Sequence, residues 1–431
     1  MVFSYELTVA PVPSTTTSDV DRTFYWHDGR SHQYFRANYG PLLGGLGAVN
    51  DRNIDLVRIA VAVLAADRSS LRSGRLSNWN QRDISIAVDV LAASPWQAVK
   101  PELEKLLGFL TGDIWRFTFR ENAGAPEQIA TVGLGATRVV LLSGGADSAT
   151  GALLSAVDLA SRGEQQILVS HWASPNLSPI QTRVADAIEE LAPGTTADHV
   201  KVLLARGRHS PTGKAYGKEN STRSRSFLFI ALGLAVSSVH KVPLWLPENG
   251  YASINPPLSR SRRGSLSTKT THPKFLGDLI SLLASVGAHR DLVNPHAAET
   301  KGEMFQRVRE LLGDERASAF LSDTSSCSHT GAKSYGISAK IACGVCFGCV
   351  LRRASFEAAG LDDSTPYLVP KGDKQLAWVK EKSVVPAMRD FLRESFGESD
   401  LAKLQLPSSI ALADALELCR RGREELQGLD L

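Results

Sequence analysis

Ser143-Gly144-Gly145-Ala146-Asp147-Ser148 puts two hydroxyls, a carboxylate and two glycines into six residues. The apolar run Arg138-Val139-Val140-Leu141-Leu142 before it reads as a buried strand, and Ala149-Thr150-Gly151-Ala152-Leu153-Leu154 after it reads as a helix. A small-residue turn between strand and helix offers backbone N–H groups and the positive end of the helix dipole, a combination that binds phosphate. The glycines let the chain turn tightly and let an anion approach the backbone. Ser143 and Ser148 add hydroxyl donors, and Asp147 is a candidate ligand for Mg²⁺ held against phosphates. No Gly-Lys-Ser/Thr closes the loop, so it is not a Walker A motif. The bland alternative is an ordinary strand-to-helix turn rich in Ser and Gly.

A second group of reactive side chains lies downstream. Cys327 is followed by Cys343-Gly344-Val345-Cys346-Phe347-Gly348-Cys349. Four thiolates, three of them at CxxCxxC spacing, suit a tetrahedral Zn²⁺ that is structural, because no position stays open for substrate. The alternatives are an iron–sulfur or redox-active group and buried unliganded cysteines. Four of the five cysteines fall in this one segment, which favours zinc over scattered core thiols.

These groups need a scaffold. From about 131 to 315 the chain alternates strand and helix, with strands expected at 138–142, 166–171, 199–204, 243–247 and 291–294. Helices are expected at 147–161, 178–192, 221–240, 273–287 and 301–312. That alternation predicts an α/β fold, a doubly wound parallel sheet with helices on both faces. Ligands in such sheets sit beyond the carboxyl ends of the strands, where strand order reverses. The residues just after the strands are therefore candidates: the 143–148 loop, His171 and Trp172, Arg206, and Glu248 with Asn249. His171 and Trp172 either flank an adenine or substrate ring or simply pack at the sheet edge. The basic run Arg260, Arg262, Arg263 and Lys269 either contacts phosphates or an acidic partner, or is a solvated loop. It lacks the interleaved aromatics that stack on RNA bases.

Residues 1–130 read as an α/β extension, with strands near 5–10, 23–26, 83–90 and 115–119 and helices at 54–66 and 96–110. No catalytic constellation stands out there. His27, Asp28 and His32 read as surface polar residues, and Glu121 to Pro126 as a boundary. Residues 366–431 read as a helical tail with apolar positions at Leu376, Val379, Val384, Met388 and Leu392. The tail is core cover or an interface, one between two copies of the chain included. The 431 residues suffice for two or three domains, and 43% hydrophobic content with a mean hydropathy near zero is globular. A net charge of +3 does not by itself imply nucleic acid. No apolar run reaches membrane-spanning length and no signal peptide is visible, so a cytoplasmic enzyme is expected.

The 143–148 loop resembles the SGGxDS pyrophosphate loop of N-type ATP pyrophosphatases (PP-loop enzymes, adenine-nucleotide α-hydrolase-like in fold). In order along 138–361, the chain resembles the 7-cyano-7-deazaguanine synthase (QueC) family. Arg223-Ser224 with Phe227-Leu228 is similar to that family's Arg-Asn-x-x-Phe-Leu helix start. Pro295 and Thr300-Lys301-Gly302-Glu303 are similar to its Pro-x-x-x-x-Thr-Lys-x-Glu segment. Ser326-Cys327 and Cys343 to Arg352 are similar to its Ser-Cys and Cys-Gly-x-Cys-x-x-Cys-x-x-Arg end. Two departures stand out. The family's Tyr-Pro-Asp-Cys-Arg segment is replaced by Glu248 to His272, and the chain carries added residues at both ends. Long QueC-like proteins of this build, the QatC-like group, occur in bacterial antiphage gene clusters.

The resemblance implies ATP, Mg²⁺ and Zn²⁺ as cofactors. It implies a zinc-binding segment at 316–365, with Cys327, Cys343, Cys346 and Cys349 as ligands. It implies that Arg223 and Lys301 neutralise leaving pyrophosphate with the loop. Arg260, Arg263, Glu248 and Asn249 would meet the substrate, a deazapurine carboxylate such as 7-carboxy-7-deazaguanine. In the family, ammonia then gives an amide that a second ATP dehydrates to a nitrile. A longer relative could stop at the amide or use an amine on a partner protein.

Overall fold

The computed structural model describes residues 2–10, 22–26, 35–37, 49–72, 81–124, 135–172, 177–210, 212–219, 222–256, 269–328, 341–368 and 383–429. His27, Asp28, His32, Arg260, Arg262, Arg263, Leu376 and Val379 lie outside these residues.

Strands β1 (Phe3–Thr8), β2 (Thr23–Tyr25), β4 (Asp83–Val90) and β5 (Ile114–Glu121) form one parallel sheet in the order β2-β1-β4-β5. A second sheet is built from β6 (Arg138–Leu141), β7 (Gln166–Trp172), β8 (Thr196–Arg206), β9 (Leu244–Trp245) and β10 (Leu292–Val293). Its order is β10-β9-β6-β7-β8, all parallel, and β3 (Phe35–Ala37) adds antiparallel to the β8 edge. From β6 the chain steps outward through β7 and β8, then returns to place β9 and β10 on the other side. The order reverses between β6 and β9, where a crevice opens at the carboxyl ends.

Strand residues alternate between two cores, as a pleated strand requires. Val139, Leu141, Ile167 and Val169 face a core shared with α6 (Arg225–His240) and α8 (Pro273–Val286). Val140, Leu142 and Leu168 face one shared with α4 (Ala146–Ala160) and α5 (Leu177–Leu191). The sheet is thus covered on both faces.

The extension is continuous with this core. Helix α1 (Asp51–Ser69) is buried on nearly every side, and its Leu56, Ile59 and Val63 share one apolar cluster with Phe227 and Leu234 of α6. A polar lock reinforces the junction. Arg82 and Arg72 both pair with Asp67 and Asp113, and the second Asp67 oxygen accepts from the amides of Arg223 and Ser224 and from the Ser224 hydroxyl.

The single helix expected at 96–110 is two, α2 (Ala93–Ala98) and α3 (Lys100–Thr111). Pro101 explains the break: it has no N–H for the Gln97 carbonyl, and its ring crowds that carbonyl. Beyond β9 come the short α7 (Gly250–Ile254), then α9 (Lys301–Leu312), α10 (Asp314–Ser322) and α11 (Phe347–Ala358). The tail supplies helices Val385–Arg393, Glu398–Leu401 and Leu412–Gly428, which pack Met388, Phe391, Leu418 and Leu426 onto α7 and α11.

Candidate nucleotide site and cysteine cluster

The 143–148 segment makes the turn expected of it. Gly144 takes φ +85°, a conformation that side chains other than glycine rarely adopt. Gly145 caps α4, whose first turn holds Ala146, Asp147 and Ser148. The N–H groups of such a turn have no partner inside their helix and point along its axis. The two hydroxyls brace the loop: Ser143 and Ser148 Oγ lie 2.9 Å apart, and Ser148 Oγ accepts from the Ser143 amide at 3.1 Å. Gln181 supports the turn from below, its amide donating to the carbonyls of Ser143 and His171. Sequence reasoning missed Gln181; the available signal was a polar residue on the apolar face of α5.

Asp147, Glu248, Asn249 and Lys301 meet at the reversal between β6 and β9. Lys301, the first residue of α9, places Nζ 2.5 Å from Asp147 Oδ2. Asn249 Nδ2 donates to Asp147 Oδ1 at 3.0 Å and to Glu248 Oε1 at 3.2 Å. Burial would raise the Asp147 carboxyl, but the Lys301 ammonium and the Asn249 amide more than offset it, so its pKa lies below the ordinary value. Glu248 is pushed up to about 8, first by burial and then by the Asp147 charge beside it. Two carboxyl groups therefore share one ammonium, Asp147 as the carboxylate and Glu248 keeping its proton near neutral pH, and a divalent cation could take that proton's place. Asn294 also holds this corner, donating to the Glu248 carbonyl at 2.8 Å and accepting from its amide.

Beside this corner, a cleft of about 540 Å³ lies between α7 and the helix Leu412–Gly428. Ile254, Leu276 and Ile410 supply apolar wall, and Ser253, Thr271 and Asn294 supply polar groups. That volume suits a small molecule.

Other candidates are placed elsewhere. Arg223 is turned toward the extension: its guanidinium donates to the Thr111 carbonyl at 2.7 Å, and burial lowers its pKa to about 10. It is thus not brought together with the loop, because the α1–α3 junction claims it. His171 packs inward, as the edge-packing alternative describes. It is 2% exposed, with Nε2 against the Leu204 carbonyl, and burial drops its pKa to about 4. Arg206 is bonded to the carbonyls of Gly207 and Gly217 and lies over Tyr216. Lys269, the described end of the basic run, sits over the Phe109 ring of α3.

The four cysteines converge. The sulfurs of Cys327, Cys343, Cys346 and Cys349 all lie within 4.8 Å of one another, and this set can hold a zinc ion. The amides of Cys343 and Cys346 donate to the sulfurs of Cys327 and Cys343, as N–H groups do around a thiolate-bound metal. Gly348 is required because a Cβ there would lie 2.2 Å from the Ser326 carbonyl oxygen. Cys419 is apart, buried in the tail. Among the described residues, no helix is long and apolar enough to cross a membrane.

Comparison with family models, curated proteins and solved structures returned no match.

Proposed function

We propose that the chain is a QueC-like ATP pyrophosphatase that activates a carboxylate as its adenylate and passes it to an amine. One observation carries this reading. A strand-loop-helix turn without a Walker lysine brings its own Asp147 into contact with Lys301 and Asn249 from the ends of two other strand connections.

In this account the loop amides and the start of α4 hold the β,γ-phosphates of ATP. Asp147 and Glu248 would hold Mg²⁺, which would supply charge neutralisation on the phosphates. A carboxylate oxygen of the substrate attacks the α-phosphorus, the Pα–O–Pβ bond breaks, and pyrophosphate leaves. Lys301 stabilises the charge that accumulates on it. The amine nitrogen then attacks the acyl carbon, AMP departs, and the nitrogen loses a proton. Most of the acceleration comes from positioning and electrostatics. The cleft beside Asn294 receives the carboxylate, a deazapurine such as 7-carboxy-7-deazaguanine. The cysteine cluster holds zinc in a structural role. The amine belongs to a partner protein, and the setting is bacterial antiphage defence.

The test is isotope transfer. With ¹⁸O-labelled carboxylate, AMP should gain one ¹⁸O. Unlabelled AMP formed in ¹⁸O-free water, at a rate indifferent to the carboxylate, would reject the acyl-adenylate.

A further inference from the structure

Lys301 is long and flexible, and a side chain of that kind gives a defined charge position only if its base is fixed. Its helix is held twice. Thr300 and Glu303 form a capping box: Thr300 Oγ1 accepts from the Glu303 amide, and Glu303 Oε2 accepts from the Thr300 amide. That box already satisfies the helix start. A second carboxylate nevertheless enters from the far end of the chain. Glu425 accepts from the Thr300 hydroxyl through Oε1 and from the Gly302 amide through Oε2, at 3.1 Å in the latter case.

Gly302 is what admits it, since a Cβ at 302 would lie 2.4 Å from Glu425 Oε1. The rest of the helix Leu412–Gly428 is moulded to the same turns. Gly422 lies against the Tyr251 ring and Leu418 against Gly250, next to Asn249. Arg421 pairs with Glu303 and donates to the Ala298 carbonyl. Burial pushes the Glu425 carboxyl up to about 7, with Glu303 adding to the rise and Arg421 opposing it. The hydrogen bonds from Thr300 and Gly302 favour the carboxylate form and so offset part of that rise.

We propose that Glu425 is a positioning residue: its carboxylate, seated on the first turn of α9, fixes the Lys301 ammonium against Asp147. The tail helix becomes in this way a working part of the site. The inference rests on the reading of the loop as a pyrophosphatase site, but its geometry can be tested without turnover.

The experiment compares full-length protein with its Glu425→Gln variant, in which the amide can accept only one of the two hydrogen bonds. Lysines are acetylated under limiting reagent and mapped by peptide mass spectrometry. In the parent chain Lys301, 5% exposed, should be protected. In the variant it should react on the order of tenfold faster or more, while Lys274, on another helix, should not change. If Glu425→Gln fails to fold, Glu425→Asp, too short to reach both donors, serves the same comparison. In turnover, kcat should fall with little change in KM for ATP, and Glu425→Gln should add no further loss in a Lys301→Met background. Unchanged Lys301 protection, or an equal kcat loss with and without Lys301, overturns the proposal. Absence of pyrophosphate release from the parent chain would instead reject the pyrophosphatase reading, and the acetylation result would still decide the role of Glu425.

Discussion

The Ser325 amide donates to the Gly144 carbonyl at 2.8 Å, so the loop that would hold phosphate is bonded to the segment that leads into the cysteine cluster. Arg352 anchors the same stretch through the carbonyls of Thr324 and Leu321. A metal in the cluster would therefore fix one side of the nucleotide site without touching nucleotide.

This arrangement predicts one zinc per chain and a folding role for it. Structural zinc contributes on the order of 10 kcal/mol in small domains. Cys346→Ser should lose the metal and lower the melting temperature, and hydrogen exchange at 143–148 should rise with it. Elemental analysis and exchange mass spectrometry check this. Full metal content and unchanged stability in the variant would refute the ligand set, and an iron-containing brown preparation would replace zinc with a cluster.

A second prediction concerns the junction of extension and core. Asp67 is fully buried and accepts from Arg82, Arg223 and Ser224. Asp67→Ala strands these donors and should cost about 3–5 kcal/mol in chemical denaturation. Arg116→Ala, which breaks an exposed pair with Asp83, should change little. An equally mild Asp67 variant would mean the extension is not locked to the core as described.

How much of this was legible in the sequence follows from the same residues. Strand β6 announces itself by the unbroken apolar run Val139 to Leu142, since both faces of the sheet are covered, whereas β7 offers only Ile167, Leu168 and Val169 before the buried Ser170 and His171. The helix expected at 301–312 is α9, and the structure adds the reason for its start, a capping box of Thr300 and Glu303. What could not be read is long-range pairing. Three residues, Phe35–Ala37, are too few to show alternation, yet they pair with β8. Nothing near Arg223 says that the Thr111 carbonyl will accept its hydrogen bond, and nothing near Glu425 says that Thr300 will meet it. Asp147 and Lys301 were each singled out by local pattern. Their 2.5 Å contact is a product of strand order.

The third prediction is a pH dependence. Glu248 carries a raised pKa of about 8 against an ordinary 4.5, so the proton it holds stabilises the folded chain fully below about 4.5 and that contribution is lost as pH rises through about 8. Asp147 and His171 are shifted downward, so their effects appear on acidification, below pH 6.5. Between pH 6.5 and 8.5 the cation-free protein should thus lose melting temperature. Added Mg²⁺ or Mn²⁺ should offset that loss and bind more tightly as pH rises, because the cation displaces the proton. Calorimetry in buffers of different ionisation heat should show proton release. Cation affinity flat across this range would remove Glu248 from the metal site.

The cleft yields a fourth. Ala411 is exposed on its rim, so Ala411→Trp should fill the opening without disturbing the core. KM for the carboxylate should rise about tenfold or more, as expected when a pocket is occluded, while KM for ATP stays the same. A parallel rise in both, or in neither, would move the carboxylate elsewhere.

Transfer to a protein amine is tested by incubating the chain with ATP, the carboxylate and proteins encoded beside it, then weighing intact proteins. One partner should gain the mass of an amide-linked deazaguanine. Efficient release of free 7-cyano-7-deazaguanine with no protein gaining mass would leave a nitrile-forming synthase instead.

The most direct measurement is the fate of the nucleotide. Chromatography of the products from ATP, Mg²⁺ and the carboxylate should show AMP and pyrophosphate in equal amounts, and a folded Asp147→Ala protein should make neither. ADP and phosphate as the main products would contradict the assignment of the 143–148 loop to cleavage between the α and β phosphates.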